Sequence, residues 1–193
     1  MSSTGAIRRI TDNVYVFWAL LALPGIYMFV QRLIGGKMAF VPLSGEISAW
    51  LLIVTMMITP LMLLIGPLPW LKARRRHLGV ASFSYAMLHL LFWIVNVNLG
   101  QFIKSFFRFE ILTGWIAMAI MVVLAVTSTD GWVRSLGPRW KWMQRWVYAG
   151  AALTLVHWLM TTEHRVEALL YCTPLILLSV WRVARYSARS RSA

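Results

Sequence analysis

Apolar runs of about 18 to 22 residues recur along this chain, broken by short polar and basic loops. A hydrocarbon core of roughly 30 Å is crossed by about 20 apolar residues in a helix, so each run is long enough to span. In lipid a backbone must satisfy its own hydrogen bonds, which leaves helices as the structure for such runs. With 60% hydrophobic residues in 193, the composition lies far outside the range of a soluble domain. The reading is an all-α integral membrane protein: one transmembrane domain over residues 1–193, built as a six-helix bundle. The expected spans are 14–31, 47–65, 78–97, 111–128, 146–160 and 166–183. Pro24 and Pro60 fall inside the first two. The polar start with Arg8 and Arg9 lacks a small-residue cleavage site after the apolar run and reads as a retained anchor.

Charge orients the bundle. The net charge is +13, and 14 of the 19 basic residues fall on one side of the expected topology. They are Arg8, Arg9, Lys72, Arg74, Arg75, Arg76, Arg134, Arg139, Lys141, Arg145, Arg182, Arg185, Arg189 and Arg191. Arg32, Lys37, Lys104, Arg108 and Arg165 fall on the other. By the positive-inside rule both termini are cytoplasmic, with a basic tail over 182–193. The excess charge thus answers to topology and membrane lipid, not to nucleic acid.

Four histidines remain to be explained: His77, His89, His157 and His164. His89 lies about 12 residues, or roughly 18 Å, into the third span, and His157 about 13 residues, or roughly 20 Å, into the fifth. Ionisable side chains at such depth are rare and usually functional. Two neutral imidazoles at matched depth suit the axial positions of a buried haem iron; the competing reading is that each simply hydrogen-bonds across the bundle. Small residues near them (Ser82, Ala86, Gly150) would let a flat macrocycle approach, and Tyr85 and Trp93 would line its edge. His77 reads as an interfacial side chain and His164 as a loop residue. No CxxCH motif occurs, so covalent haem attachment is excluded, and the lone Cys172 cannot form an intramolecular disulfide. The six acidic residues sit at or near span ends, and no serine or cysteine nucleophile motif appears, so catalysis by the chain alone is not expected.

The stretches Arg75-Arg76-His77-Leu78-Gly79 and Phe83-Ser84-Tyr85-Ala86-Met87-Leu88-His89 resemble the third helix of the ferric-reductase-like transmembrane family. Ile58-Thr59-Pro60-Leu61, Thr127-Ser128-Thr129, Leu136-Gly137, Arg139-Trp140, Tyr148 and His157-Trp158 extend the resemblance over about residues 43–165. Within that family the chain is most similar to haem-binding subunits of periplasmic protein-methionine-sulfoxide reductase systems. The resemblance implies a b-type cytochrome of the bacterial inner membrane, an electron-transfer subunit with haem iron held by His89 and His157. Electrons would come from a cytosolic flavin reductase or quinol and leave to a periplasmic molybdenum-containing methionine-sulfoxide reductase. The family pattern carries a further histidine where this chain has Gln144. One haem is therefore expected, or two if His77 takes part in a rearranged second site. FMN near the basic loops is a further expectation, its phosphate facing Arg75, Arg76, Arg134 and Arg139. Two other functions compete: a stand-alone metal or oxygen reductase, and a haem-free or single-haem paralogue acting as a membrane scaffold or serving another redox partner. Relatives in the former role carry a fused flavin and nicotinamide domain, for which this chain has no room.

Overall fold

The computed structural model describes residues 13–36 and 39–191, so Arg8, Arg9 and Lys37 lie outside the described residues. Among the described residues the structure is helical throughout, without strands. The helices are α1 Val14–Leu33, α2 Phe40–Ile65, α3 Pro69–Asn96, α4 Leu99–Phe106 and α5 Phe109–Val126. After them come α6 Asp130–Leu136, α7 Pro138–Gln144, α8 Val147–Thr161 and α9 Arg165–Arg191.

Five of these, α1, α2, α3, α5 and α9, are long and apolar enough to cross a membrane. The chain is a multi-pass membrane protein. The expected fifth span corresponds to α8, whose 15 residues rise only about 22 Å, less than a hydrocarbon core. Several helices outrun the spans expected from hydropathy. α2 begins seven residues early, because Pro42 falls in its first turn, where a backbone N–H has no helical partner to lose. α3 begins at Pro69, so the whole run Lys72 to His77 is helical. α9 carries the basic tail as continuous helix to Arg191.

Two helix pairs make the most extensive contacts, α2 with α3 and α5 with α8, and α9 leans on α2 and α8. Where α2 meets α3, Ser48 and Ser82 each donate to the other's backbone carbonyl at 2.8 Å. Such interhelical bonds contribute on the order of 1 kcal/mol each in a membrane. Most large apolar side chains of α1 and α9 face outward, as lipid contact requires. α1 buries only Met28 fully and is tied to α3 by Tyr85. The Tyr85 hydroxyl donates to Leu21 O at 2.7 Å and accepts from Gly25 N at 2.9 Å, bridging the turn that Pro24 opens.

The connections divide between two ends. One end, here the basic end, holds the α2–α3 turn and the segment 127–146. There α2 stops at Gly66, whose φ of 101° suits only glycine, and Gly137 with φ 52° followed by Pro138 separates α6 from α7. The segment is fastened to the end of α5: Trp140 Nε1 donates to Thr127 O at 2.9 Å, and Thr129 caps α6. At the opposite end α4 is closed by a capping box between Asn98 and Gln101. It turns Phe102 and Phe106 onto Trp93 and Trp115 and leaves Leu99, Ile103 and Phe107 exposed.

Candidate functional site

The two helix pairs bring His89 of α3 and His157 of α8 together, their ring centres 6.2 Å apart and their planes nearly perpendicular at 85°. Each ring is held by the helix packed against it. His89 Nδ1 lies 2.8 Å from Val41 O of α2, and His157 Nδ1 lies 2.6 Å from Glu110 O of α5. A carbonyl oxygen only accepts, so each Nδ1 carries the proton and donates it. That leaves Nε2 of both rings as the lone-pair nitrogen.

A glycine follows each carbonyl by one helical turn and makes room for the ring. A Cβ built on Gly45 would stand 2.8 Å from His89 Nδ1, and one on Gly114 would stand 2.8 Å from His157 Nδ1. Each half of the molecule therefore repeats one device, with carbonyl and glycine on one helix and histidine on the next long helix. The donor–acceptor pairs are separated by 48 and 47 residues. The two copies of the device face each other across the bundle.

Both histidines line one cavity of about 440 Å³, a volume suited to a cofactor-sized ligand. Small residues (Ala49, Ala86, Ala117) and the tryptophans Trp93, Trp115 and Trp158 make up much of its wall. Trp115 Nε1 is buried and has no hydrogen-bond partner among the described residues. An N–H in that position costs about 1–3 kcal/mol unless something else accepts from it.

Most of the other expected site residues lie elsewhere. Of the small residues flagged from sequence, Ala86 lines the cavity, Ser82 is spent on Ser48, and Gly150 packs α8 against Ile120 of α5. Trp93 lines the cavity, whereas Tyr85 turns to α1. His77 lies edge-on to Phe17 and Trp18 of α1, while the Gln144 amide donates to Leu124 O of α5. His77 and Gln144 thus meet different helices, α1 and α5. Arg76 pairs with Asp130 at 2.5 Å, which holds that exposed carboxyl below the usual carboxylate range. Arg75 is half-buried, and Arg134 and Arg139 are exposed. His164 is an exposed neighbour of Glu167.

Sequence reasoning missed Gly45, Gly114 and the carbonyls of Val41 and Glu110. Backbone acceptors leave no signature in a sequence, and a glycine in a membrane helix has many ordinary uses.

Comparison with known proteins gives the class of the molecule. Residues 44–165 match the family described as ferric reductase like transmembrane component, and the chain belongs to that family. Its relatives include the protein-methionine-sulfoxide reductase heme-binding subunits MsrQ of Brucella ovis, Brucella canis and Brucella suis. Each is 34% identical over 157 residues, covering 79% of this chain and 70% of the relative. No solved structure matches.

Proposed function

We propose that this chain is the haem-binding membrane subunit of a protein-methionine-sulfoxide reductase system, with His89 and His157 as the two axial ligands of one haem b. The observation that carries the reading is the geometry of the histidine pair. Two imidazoles ligating one iron, each nitrogen about 2 Å from the metal, stand with ring centres roughly 6 Å apart. The separation of 6.2 Å fits that requirement, and the lone pairs are on Nε2 because both Nδ1 protons are committed to backbone carbonyls. Donation of the second ring N–H to a carbonyl also fixes ring orientation and raises ligand basicity. The small residues and tryptophans of the cavity wall suit a flat macrocycle, and the unpartnered Trp115 N–H is available to a bound acceptor. Bound haem supplies one-electron chemistry; the protein holds and tunes it.

The basic end supports the reading of a single site: there Gln144 bonds Leu124 O and His77 turns toward α1, so among the described residues these two do not face one another. We place the basic end in the cytoplasm, with both termini, and count α8 as a sixth, short span of a bacterial inner-membrane protein. The histidines then lie toward the periplasmic end, suiting delivery to a periplasmic molybdenum-containing methionine-sulfoxide reductase. Quinol is the donor this arrangement favours over a cytosolic flavin reductase, since it can approach from within the membrane.

The test is haem stoichiometry with reduced-minus-oxidised spectra on purified protein made with ample haem. A ratio near one, lost in His89→Ala and in His157→Ala, is expected. A ratio near two would refute the single site, and haem-free protein would leave a membrane scaffold as the function.

A further inference from the structure

The basic end contains a second recess, separate from the histidine cavity, of about 410 Å³. It lies where α2, α8 and α9 meet and is lined by Thr59, Arg145, Tyr148, Arg182, Val183 and Ser187. Two arginines and three hydroxyl-bearing residues therefore share one recess, and no acidic residue is among the described residues that line it. The Arg182 group is held in place: Nη1 donates to Tyr148 Oη at 2.9 Å, and its Cζ stands 5.2 Å from the centre of the same ring. Next to it, Arg185 donates to Leu63 O at 2.9 Å and stands over Trp181 at 5.3 Å, which clamps α9 to the end of α2.

Arginines that serve topology alone need only lie on the right side of the membrane, and they lose side-chain freedom if they are ordered. Here two are drawn into one recess, where like charges repel until an anion joins them. A guanidinium presents a planar fork of donors that matches phosphate oxygens, and stacking on an aromatic face pre-organises that fork. Basic pockets between membrane helices at this level bind the head groups of anionic lipids. We propose that this recess is a binding site for a phosphate group, held by Arg145 and Arg182 with Tyr148, Thr59 and Ser187 around it. The phosphate belongs either to an anionic phospholipid or to a free phosphate compound.

The experiment is binding to the purified, delipidated full chain in detergent, with dioctanoyl phosphatidylglycerol in one arm and inorganic phosphate in the other. Saturable binding is expected, weakened roughly tenfold in the double variant Arg145→Gln/Arg182→Gln. The control Arg134→Gln/Lys141→Gln removes two exposed charges from the same end and is expected to leave binding within about twofold. Lipid binding without competition by millimolar phosphate identifies a lipid head group; equal competition identifies a free phosphate compound. Should the double variant fail to fold, Arg182→Lys keeps the charge but loses the fork, and weaker binding at unchanged melting temperature supports the site. No saturable binding in either arm, or equal loss in the control, overturns the proposal.

Discussion

At the scale of single residues, the candidate site depends on what is absent as much as on what is present. Gly45 and Gly114 leave the space in which the two imidazoles lie against a neighbouring helix. In Gly114→Ala the new Cβ would fall 2.8 Å from His157 Nδ1 and 2.9 Å from Cε1, so the ring must move off Glu110 O. Haem occupancy should drop roughly tenfold, the usual scale for losing a ligand's supporting contact. Gly131→Ala meets nothing within 4 Å and should leave occupancy unchanged. Haem-to-protein ratios on the two variants check this; equal occupancy would mean that the ring contact does not govern binding. His89 and His157 were legible in the sequence, because a histidine deep in an apolar run stands out against its surroundings. Their glycine and carbonyl supports were not, since neither differs in sequence from ordinary helix packing.

At the scale of elements, α1 is the least buried of the five helices long and apolar enough to cross a membrane, and one hydroxyl joins it to α3 through two hydrogen bonds. The Tyr85 hydroxyl bonds both Gly25 N and Leu21 O, the two backbone groups beside Pro24. Removing that hydroxyl in Tyr85→Phe leaves both backbone groups without their bridge in a partly buried setting, which should destabilise the protein by about 1–3 kcal/mol. Thermal unfolding in detergent should show a lower midpoint for Tyr85→Phe and none for Tyr27→Phe, whose side chain is exposed. An unchanged midpoint would mean that lipid or detergent holds α1 in place without this contact. From sequence Tyr85 reads as lining a macrocycle, because it lies one helical turn from His89. Helical spacing gives the face of a residue only to within a neighbouring position, and the choice between α1 and the cavity is made by where α1 packs. The helices α4, α6 and α7 were equally hidden, being too short to register as apolar runs.

At the scale of the whole molecule, charge and helix length make testable predictions of orientation and span count. A reporter active only in the cytoplasm, fused after Ala193, should be active; the same reporter inserted in the 97–108 segment should be silent. A reporter at 162–164 decides α8: silence there means that its 15 residues cross the membrane, and activity means that five spans suffice. Crossing by so short a helix requires local thinning of the bilayer or snorkelling of flanking groups, for which Arg145 and Trp146 are placed at one end.

The sequence by itself determined that the chain is a helical membrane protein, which end of it is basic, and that two histidines lie at matched depth. Those properties are summed along the chain: apolar run length against bilayer thickness, charge bias between loops, rise per residue. Only the tertiary structure decided that the two imidazoles face each other, which nitrogen of each is free, and that His77 and Gln144 turn to different neighbours. It alone gathered Arg145 and Arg182 into one recess. Each of these rests on contacts between helices far apart in sequence, and helix packing sets such contacts through the shapes of two surfaces at once.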